Sequence, residues 1–167
     1  DGTLDQTFGT NGYTDIDESI QGESIYDLGI LSDGTIVGVG YGYHGDPTWG
    51  DKGLMAKLDA NGDPITSFGG NGVITPAIFT DVSMARRVVV RNDSLFVTGF
   101  QYSASNSNNL FITKLDSDGV ADPAFGNNGI MMESSEVFSY GFDIILQDDG
   151  KIYVGGTGGQ NGLITEF

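Results

Sequence analysis

The chain has no cysteine among its 167 residues, so a disulfide framework and a thiolate metal site are both excluded. Histidine occurs once, as His44. That removes His-cluster metal sites and leaves little basis for a His-based catalytic triad. Cations are scarce: 7 Lys and Arg stand against 23 Asp and Glu, a net charge of −16. Nucleic-acid phosphates and anionic membrane surfaces repel such a chain. No apolar run approaches the roughly 18 residues that a membrane-crossing helix needs. The sequence opens on Asp1 with neither a starting Met nor a signal peptide, and reads as a mature or excised segment.

What is present suffices for a core. Hydrophobic residues make up 38% and aromatics 11%, which argues against wholesale disorder. Glycine, at 27 residues, has about twice its usual share. The main signal is an internal repeat. Asp1-Gly-Thr-Leu-Asp-Gln-Thr-Phe-Gly-Thr-Asn-Gly12 returns as a segment ending Phe68-Gly-Gly-Asn-Gly72, and again as one ending Phe125-Gly-Asn-Asn-Gly129. Two further features keep phase. One is the turn-and-strand segment Ser32 to Val37, matched by Arg91 to Phe96 and Asp148 to Tyr153. The other is the closing strand Leu54 to Leu58, matched by Phe111 to Leu115 and Leu163 to Phe167.

Each unit reads as β-strands. Val88 to Val90 and Leu95 to Val97 flank the Asn92-Asp93 turn, and Ile144 to Leu146 and Ile152 to Val154 flank Asp149-Gly150. Asx-rich turns between β-branched runs are strong hairpin signals. A further strand is expected after each Asn-Gly, at Tyr13 to Ile16, Val73 to Thr75 and Ile130 to Met132. No sustained 3.6-residue apolar period occurs, so no helix is expected. Four short strands per unit fit a propeller blade. In such a blade Phe8, Phe68 and Phe125 would pack between blades, with the following Gly letting the backbone turn closely. Leu163 and Phe167 would join them at the end of the last unit.

The pattern x-Asp-Gly-x-x-Asp-x-x-Phe-Gly-x-x-Gly, followed by Asp-Gly-Lys-Ile-x-Val-x-Gly, resembles the delta-60 repeats of bacterial propeller-like proteins. The resemblance spans all three units and is tightest over 116–156. The middle unit departs from it, with Asn92-Asp93 for Asp-Gly and Thr66 for the connector Asp. The resemblance implies a secreted or surface-attached protein and implies no catalytic activity.

The expected architecture is an all-β, propeller-like array of three four-stranded antiparallel blades, 1–58, 59–115 and 116–167, open as a single chain. Closed propellers have about four to eight blades, so an open wedge of three leaves an apolar face at each end. The array is in phase: Phe167 holds the place of Leu58 and Leu115, and Asp1 that of Asn61 and Asp118. Three outcomes stay open: a fragment of a longer propeller, two chains closing a six-bladed ring, or head-to-tail stacking into a filament. A β-solenoid of the same repeats is a further arrangement.

Several groups are candidate sites. The connector carboxylates Asp1, Asp5, Asp59, Asp116, Asp118 and Asp122 resemble pieces of calcium loops. They lack the bidentate Glu near position 12, and Asx-Gly is also ordinary turn chemistry. The loop from Tyr41 to Gly53 holds Tyr43, His44, Trp49 and Asp51 beside Tyr41. Aromatic faces with carboxylates suit a sugar ring, an interface anchor, or a loop folded over its own rings. Asn92-Asp93-Ser94 is a glycosylation sequon. No carboxylate pair or serine elbow marks a catalytic centre. Arg86, Arg87 and Arg91 form the sole basic cluster, expected to pair with the acidic excess. The expected function is a non-catalytic extracellular module that self-assembles head to tail with other copies of its chain. The alternatives are a carbohydrate-binding propeller module using 41–53, and a propeller portion of a larger secreted protein.

Overall fold

The structure is a computed structural model that describes residues 2–17, 22–43, 51–79, 82–102, 107–133 and 138–167, with Tyr43 described by its backbone alone. The described residues form three antiparallel sheets and no helix. Sheet 1 runs β1(Ser24–Ile30), β2(Ile36–Tyr43), β3(Asp51–Leu58) and β4(Val73–Ile74). Sheet 2 runs β5(Ser83–Arg91), β6(Ser94–Tyr102), β7(Asn108–Leu115) and β8(Ile130–Glu133). Sheet 3 runs β9(Ser139–Leu146), β10(Ile152–Gly158) and β11(Asn161–Glu166). Two sheets thus have the expected four strands, whereas the third has three among the described residues.

Sheet boundaries are offset from the repeat boundaries. The fourth strand of sheet 1 comes from the connector after it, because Val73 and Ile74 pair with Ala56 and Met55. Ile130 and Met131 pair with Thr113 and Ile112 in the same way. Sheets 1 and 2 therefore span 24–74 and 83–133, rather than ending at 58 and 115. Among the described residues Tyr13, the counterpart of Val73 and Ile130, bridges only Thr10, through a tight turn, so the strand expected at Tyr13 to Ile16 joins no sheet.

Local chemistry sets these elements. Asn92 and Asp93 both take positive φ, 51° and 58°, giving the two-residue turn whose twist matches a hairpin. The outer hairpins use longer turns closed from Leu31 to Thr35 and from Gln147 to Lys151. The first strand of each sheet, β1, β5 or β9, carries a bulge, between Ile25 and Asp27, Ala85 and Arg87, and Gly141 and Asp143. Opposite each bulge stands Gly40, Gly99 or Gly156. A Cβ there would collide with the carbonyl of Ser24, Met84 or Tyr140. The final Gly of the repeat pattern is thus a requirement of the bulge.

The sheets pack face on face. Val37, Val39 and Met55 of sheet 1 meet Val88, Leu95, Val97 and Phe111 of sheet 2 in one core that includes Phe68. Ile112 of sheet 2 meets Ile144, Ile152 and Val154 of sheet 3 in a second core. Phe125 packs edge-on against Phe96 there, at 5.9 Å between centroids. Leu163 and Phe167 are half-buried against the same core. Phe68, with 6% exposure, lies under the Lys57 ammonium at 4.9 Å. Truncating Phe68 to Ala should cost about 3–5 kcal/mol, as for a buried aromatic. Urea denaturation measures this, and a loss under about 1 kcal/mol would remove Phe68 from the core's support.

Candidate functional site

The repeat makes the two outer faces of the array readable position by position. Each sheet has a forward face, toward the next sheet, and a rear face. Met55, Ile112 and Ile164 are counterparts, pairing across their sheets with Val39, Thr98 and Gly155. Met55 and Ile112 are buried at 1% and 0%, while Ile164 is 82% exposed. Ile145 is 60% exposed, where its counterpart Val89 packs on the second core. Tyr153 is the counterpart of Val37 and Phe96, which fill the two cores. The forward face of sheet 3 therefore exposes Ile145 and Ile164, whose counterparts in the sheet before it are buried or packed on a core.

The rear face of sheet 1 shows the same difference from its counterparts. Leu28 is exposed, although its counterparts Val88 and Ile144 are core residues. Ile30 is also exposed, where Val90 and Leu146 pack on the cores. Deeper in this face Leu54, Ala56 and Val73 form a small cluster, with Ile16 and Ile25 against it.

The segment 2–17 lies along this face. Thr14, the counterpart of Ile74, donates its hydroxyl to the Gly62 carbonyl at 2.5 Å. Ile74 sits against Gly119, the counterpart of Gly62. So the segment meets sheet 1 at the place where β4 meets sheet 2. Phe8 is half-buried and lies over Gly62, where a Cβ would touch its ring. A groove of about 570 Å³ opens beside it, lined in part by Tyr13, Thr14, Asp15, Asp63 and Pro64.

Residues at the three bulges join the sheets along β1, β5 and β9. Tyr26, Arg86 and Phe142 are equivalent. The Arg86 guanidinium stands 4.9 Å from the Tyr26 ring centroid and 5.6 Å from that of Phe142. The next residues form a charge ladder: Arg87 pairs with Asp27 at 3.2 Å and with Asp143 at 2.9 Å. Asp27 also accepts the Val88 amide of the following sheet. Arg91 bonds the Leu146 and Gln147 carbonyls. Sequence reasoning anticipated acidic partners for these arginines but missed the aromatic bed of Arg86. The bulge swings that residue out of strict alternation.

The connector carboxylates serve turns. Asp59 accepts the amides of Asn61 and Asp63. Asp116 accepts those of Asp118 and Val120. Asp5 accepts the Thr7 hydroxyl and amide. Asp122 takes the Lys114 ammonium at 2.6 Å and the Ala124 amide. Asp118 receives Lys57. Asp1 lies outside the described residues. Among the described residues no group of three or more His, Cys, Asp or Glu is gathered as a metal site.

In the aromatic loop, Tyr41 is half-buried and stacks on Tyr26 at 5.7 Å. Asp51 begins β3 opposite Tyr43. His44 and Trp49 lie outside the described residues. Asn92 is exposed at its turn. No protein-family model matches the chain, and no curated protein matches it.

The turn bonds have a pH signature. Bonds from the Asp63 and Asn61 amides hold the Asp59 carboxyl below its ordinary value of 3.8. Hydrogen bonds from Thr7 and Lys114 do the same for Asp5 and Asp122. A carboxyl depressed in the folded state stabilises it above about pH 4, and that advantage fades as pH falls through the folded-state value. Asp59→Ala should therefore be less stable than wild type at pH 7, with the deficit shrinking as pH falls below about 4. Urea titrations across that range report it. A deficit that is constant with pH would show that the charge plays no part.

Proposed function

We propose that the chain is a non-catalytic, propeller-like structural module, secreted or displayed at a cell surface, whose copies dock head to tail. The observation that carries the reading is Ile164. It is open to solvent where both of its repeat counterparts are fully buried. The forward face of sheet 3 and the rear face of sheet 1 are the two halves of an interface the chain already makes twice. A second copy supplies each missing half. Burying a side chain such as Ile164, Ile145 or Leu28 contributes roughly 1.5–3 kcal/mol. The two surfaces differ, so the contact is heterologous and propagates as a ring or a filament according to its rotation. The resemblance to delta-60 repeats supports the propeller-like placement and the location.

Electrostatics opposes the contact. Docked in the repeat's own geometry, Asp143 of one copy meets Asp27 of the next, and both copies carry −16. Salt screens such repulsion while leaving apolar burial in place. Light scattering at micromolar concentration should therefore show oligomers that grow with added NaCl. Ile164→Lys should abolish them, with the β-sheet circular dichroism unchanged. A wild-type chain that stays a folded monomer in low and high salt would overturn the proposal.

A second reading, glycan binding, draws on the Tyr26–Tyr41 stack beside the 41–53 loop, with Tyr26 itself exposed. Trp49→Ala should then abolish retention on a glycan array. A wild type that retains no glycan removes this reading.

A further inference from the structure

The head-to-tail contact can be carried one step deeper, to backbone pairing, in an inference that rests on the proposed assembly. Sheets 1 and 2 each end in a strand donated by the connector that follows, β4 and β8. Sheet 3 ends at β11, whose outer edge is unpaired among the described residues. The chain also holds a third copy of the donated segment, Gly12 to Ile16. It follows Asn11-Gly12 as β4 follows Asn71-Gly72 and β8 follows Asn128-Gly129. It belongs to none of the three sheets. Among the described residues, one sheet thus lacks the connector strand that the other two have, and one copy of that strand segment has no sheet.

We propose that residues 12–16 of one copy add to β11 of another as its fourth strand. The register follows from the two precedents. Ala56 faces Val73 and Thr113 faces Ile130, so Thr165 should face Tyr13. Met55 faces Ile74 and Ile112 faces Met131, so Ile164 should face Thr14. The hydrogen bonds agree with this register. The Lys57 amide donates to the Gly72 carbonyl, and Lys114 to Gly129. The Glu166 amide is therefore placed to donate to Gly12. In both β8 and the free segment the inner residue spends its own N–H and C=O on a turn, Ile130 on Asn127 and Tyr13 on Thr10. That is the behaviour of a non-hydrogen-bonded cross-strand pair. It leaves Thr14 as the residue whose backbone faces β11, and among the described residues the Thr14 backbone makes no bond.

The segment needs no rearrangement to do this. β4 pairs with β3 while Ile74 rests on Gly119. Thr14 already rests on Gly62 through its hydroxyl, and the groove of about 570 Å³ runs beside Tyr13 to Asp15. A β11 edge arriving with the forward face of sheet 3 would bring its backbone to this segment while that face covers Leu28. One docking event therefore completes a sheet and a core together.

The absence of cysteine makes the register testable by cross-linking. Tyr13→Cys with Thr165→Cys places two thiols on a non-hydrogen-bonded pair, where Cβ atoms approach closely enough for a disulfide. Oxidised in high salt, the double variant should give a ladder of linked oligomers on a non-reducing gel. It should form at least about tenfold more linked product than Tyr13→Cys with Ile164→Cys, whose side chains point to opposite faces. As an independent check, Thr14→Pro removes the N–H that faces Ile164 and should abolish assembly. Thr14→Val keeps that N–H and should assemble. Circular dichroism confirms that each variant is folded.

Wild type that assembles by light scattering, with no ladder and no effect of Thr14→Pro, overturns strand addition and leaves the face-to-face contact standing. A disulfide formed within single chains overturns it in favour of self-closure. A wild type that never assembles overturns this inference and the parent proposal together.

Discussion

Everything in this molecule depends on one constraint: the middle sheet buries apolar side chains on both of its faces. A sheet in a two-layer sandwich can alternate apolar and polar residues. Here β6 cannot, because Leu95 and Val97 face sheet 1 while Phe96 faces sheet 3. β7 does the same with Phe111 in one core and Ile112 in the other. A sheet built this way is stable only in a stack. The constraint also explains Gly29 and Gly141, where a Cβ would run into Val90 and Thr98 of the facing sheet.

The polar features follow from the same stacking. Strands that repeat their position from sheet to sheet bring equivalent residues into columns. One column is Tyr26, Arg86 and Phe142, and the next is Asp27, Arg87 and Asp143. In both, the cation occupies the middle sheet and the partners that favour it occupy the outer ones. A carboxylate in each unit would stack like charges, and an arginine in each would do the same. The alternation is therefore what a column of equivalent positions demands. It uses 2 of only 7 cations in a strongly acidic chain.

Much of this was legible in the sequence. The Phe-Gly-x-Asn-Gly repeat and the hairpins around Asn92-Asp93 and Asp149-Gly150 pointed to three antiparallel sheets, to most of their strands though not to the loss of one at Tyr13 to Ile16, and to the absence of helix among the described residues. Sheet membership of the fourth strand was not legible. Val73 to Thr75 adjoins both the strand before it and the unit after it, and only hydrogen-bond register decides between them. The aromatic partners of Arg86 were not legible, because they come from the equivalent bulge positions of the neighbouring sheets, Tyr26 and Phe142. The exposure of Ile164 was within reach, since its alignment with Met55 and Ile112 was plain. Recognising it needed the knowledge that these side chains face forward. The connector carboxylates were ambiguous for a chemical reason. An Asp that accepts two turn amides and an Asp that ligates calcium share the same local spacing, and only the partners separate them.

The proposed junction between copies differs from the two junctions inside the chain in a way that bears on its strength. At the centre of each internal contact a side chain from the forward face meets one from the rear face. Val39 of sheet 1 and Val97 of sheet 2 fill the first core. At the junction Gly155 replaces Val39 on the forward face, and Gly38 replaces Val97 on the rear. A Cβ at Gly155 would meet nothing within 4 Å, so the forward face is open there. Gly38 is covered by Ile25 and Leu28 of its own sheet. Two branched side chains are thus absent from the middle of the contact. At roughly 1.5–3 kcal/mol for each buried valine, the docked pair is several kcal/mol weaker than an internal junction. Asp143 beside Asp27 weakens it further, where the internal ladder has an arginine. The proposed assembly is therefore one in which the sheets within a chain hold firmly while copies come apart, with backbone pairing at β11 offsetting part of what the glycines omit.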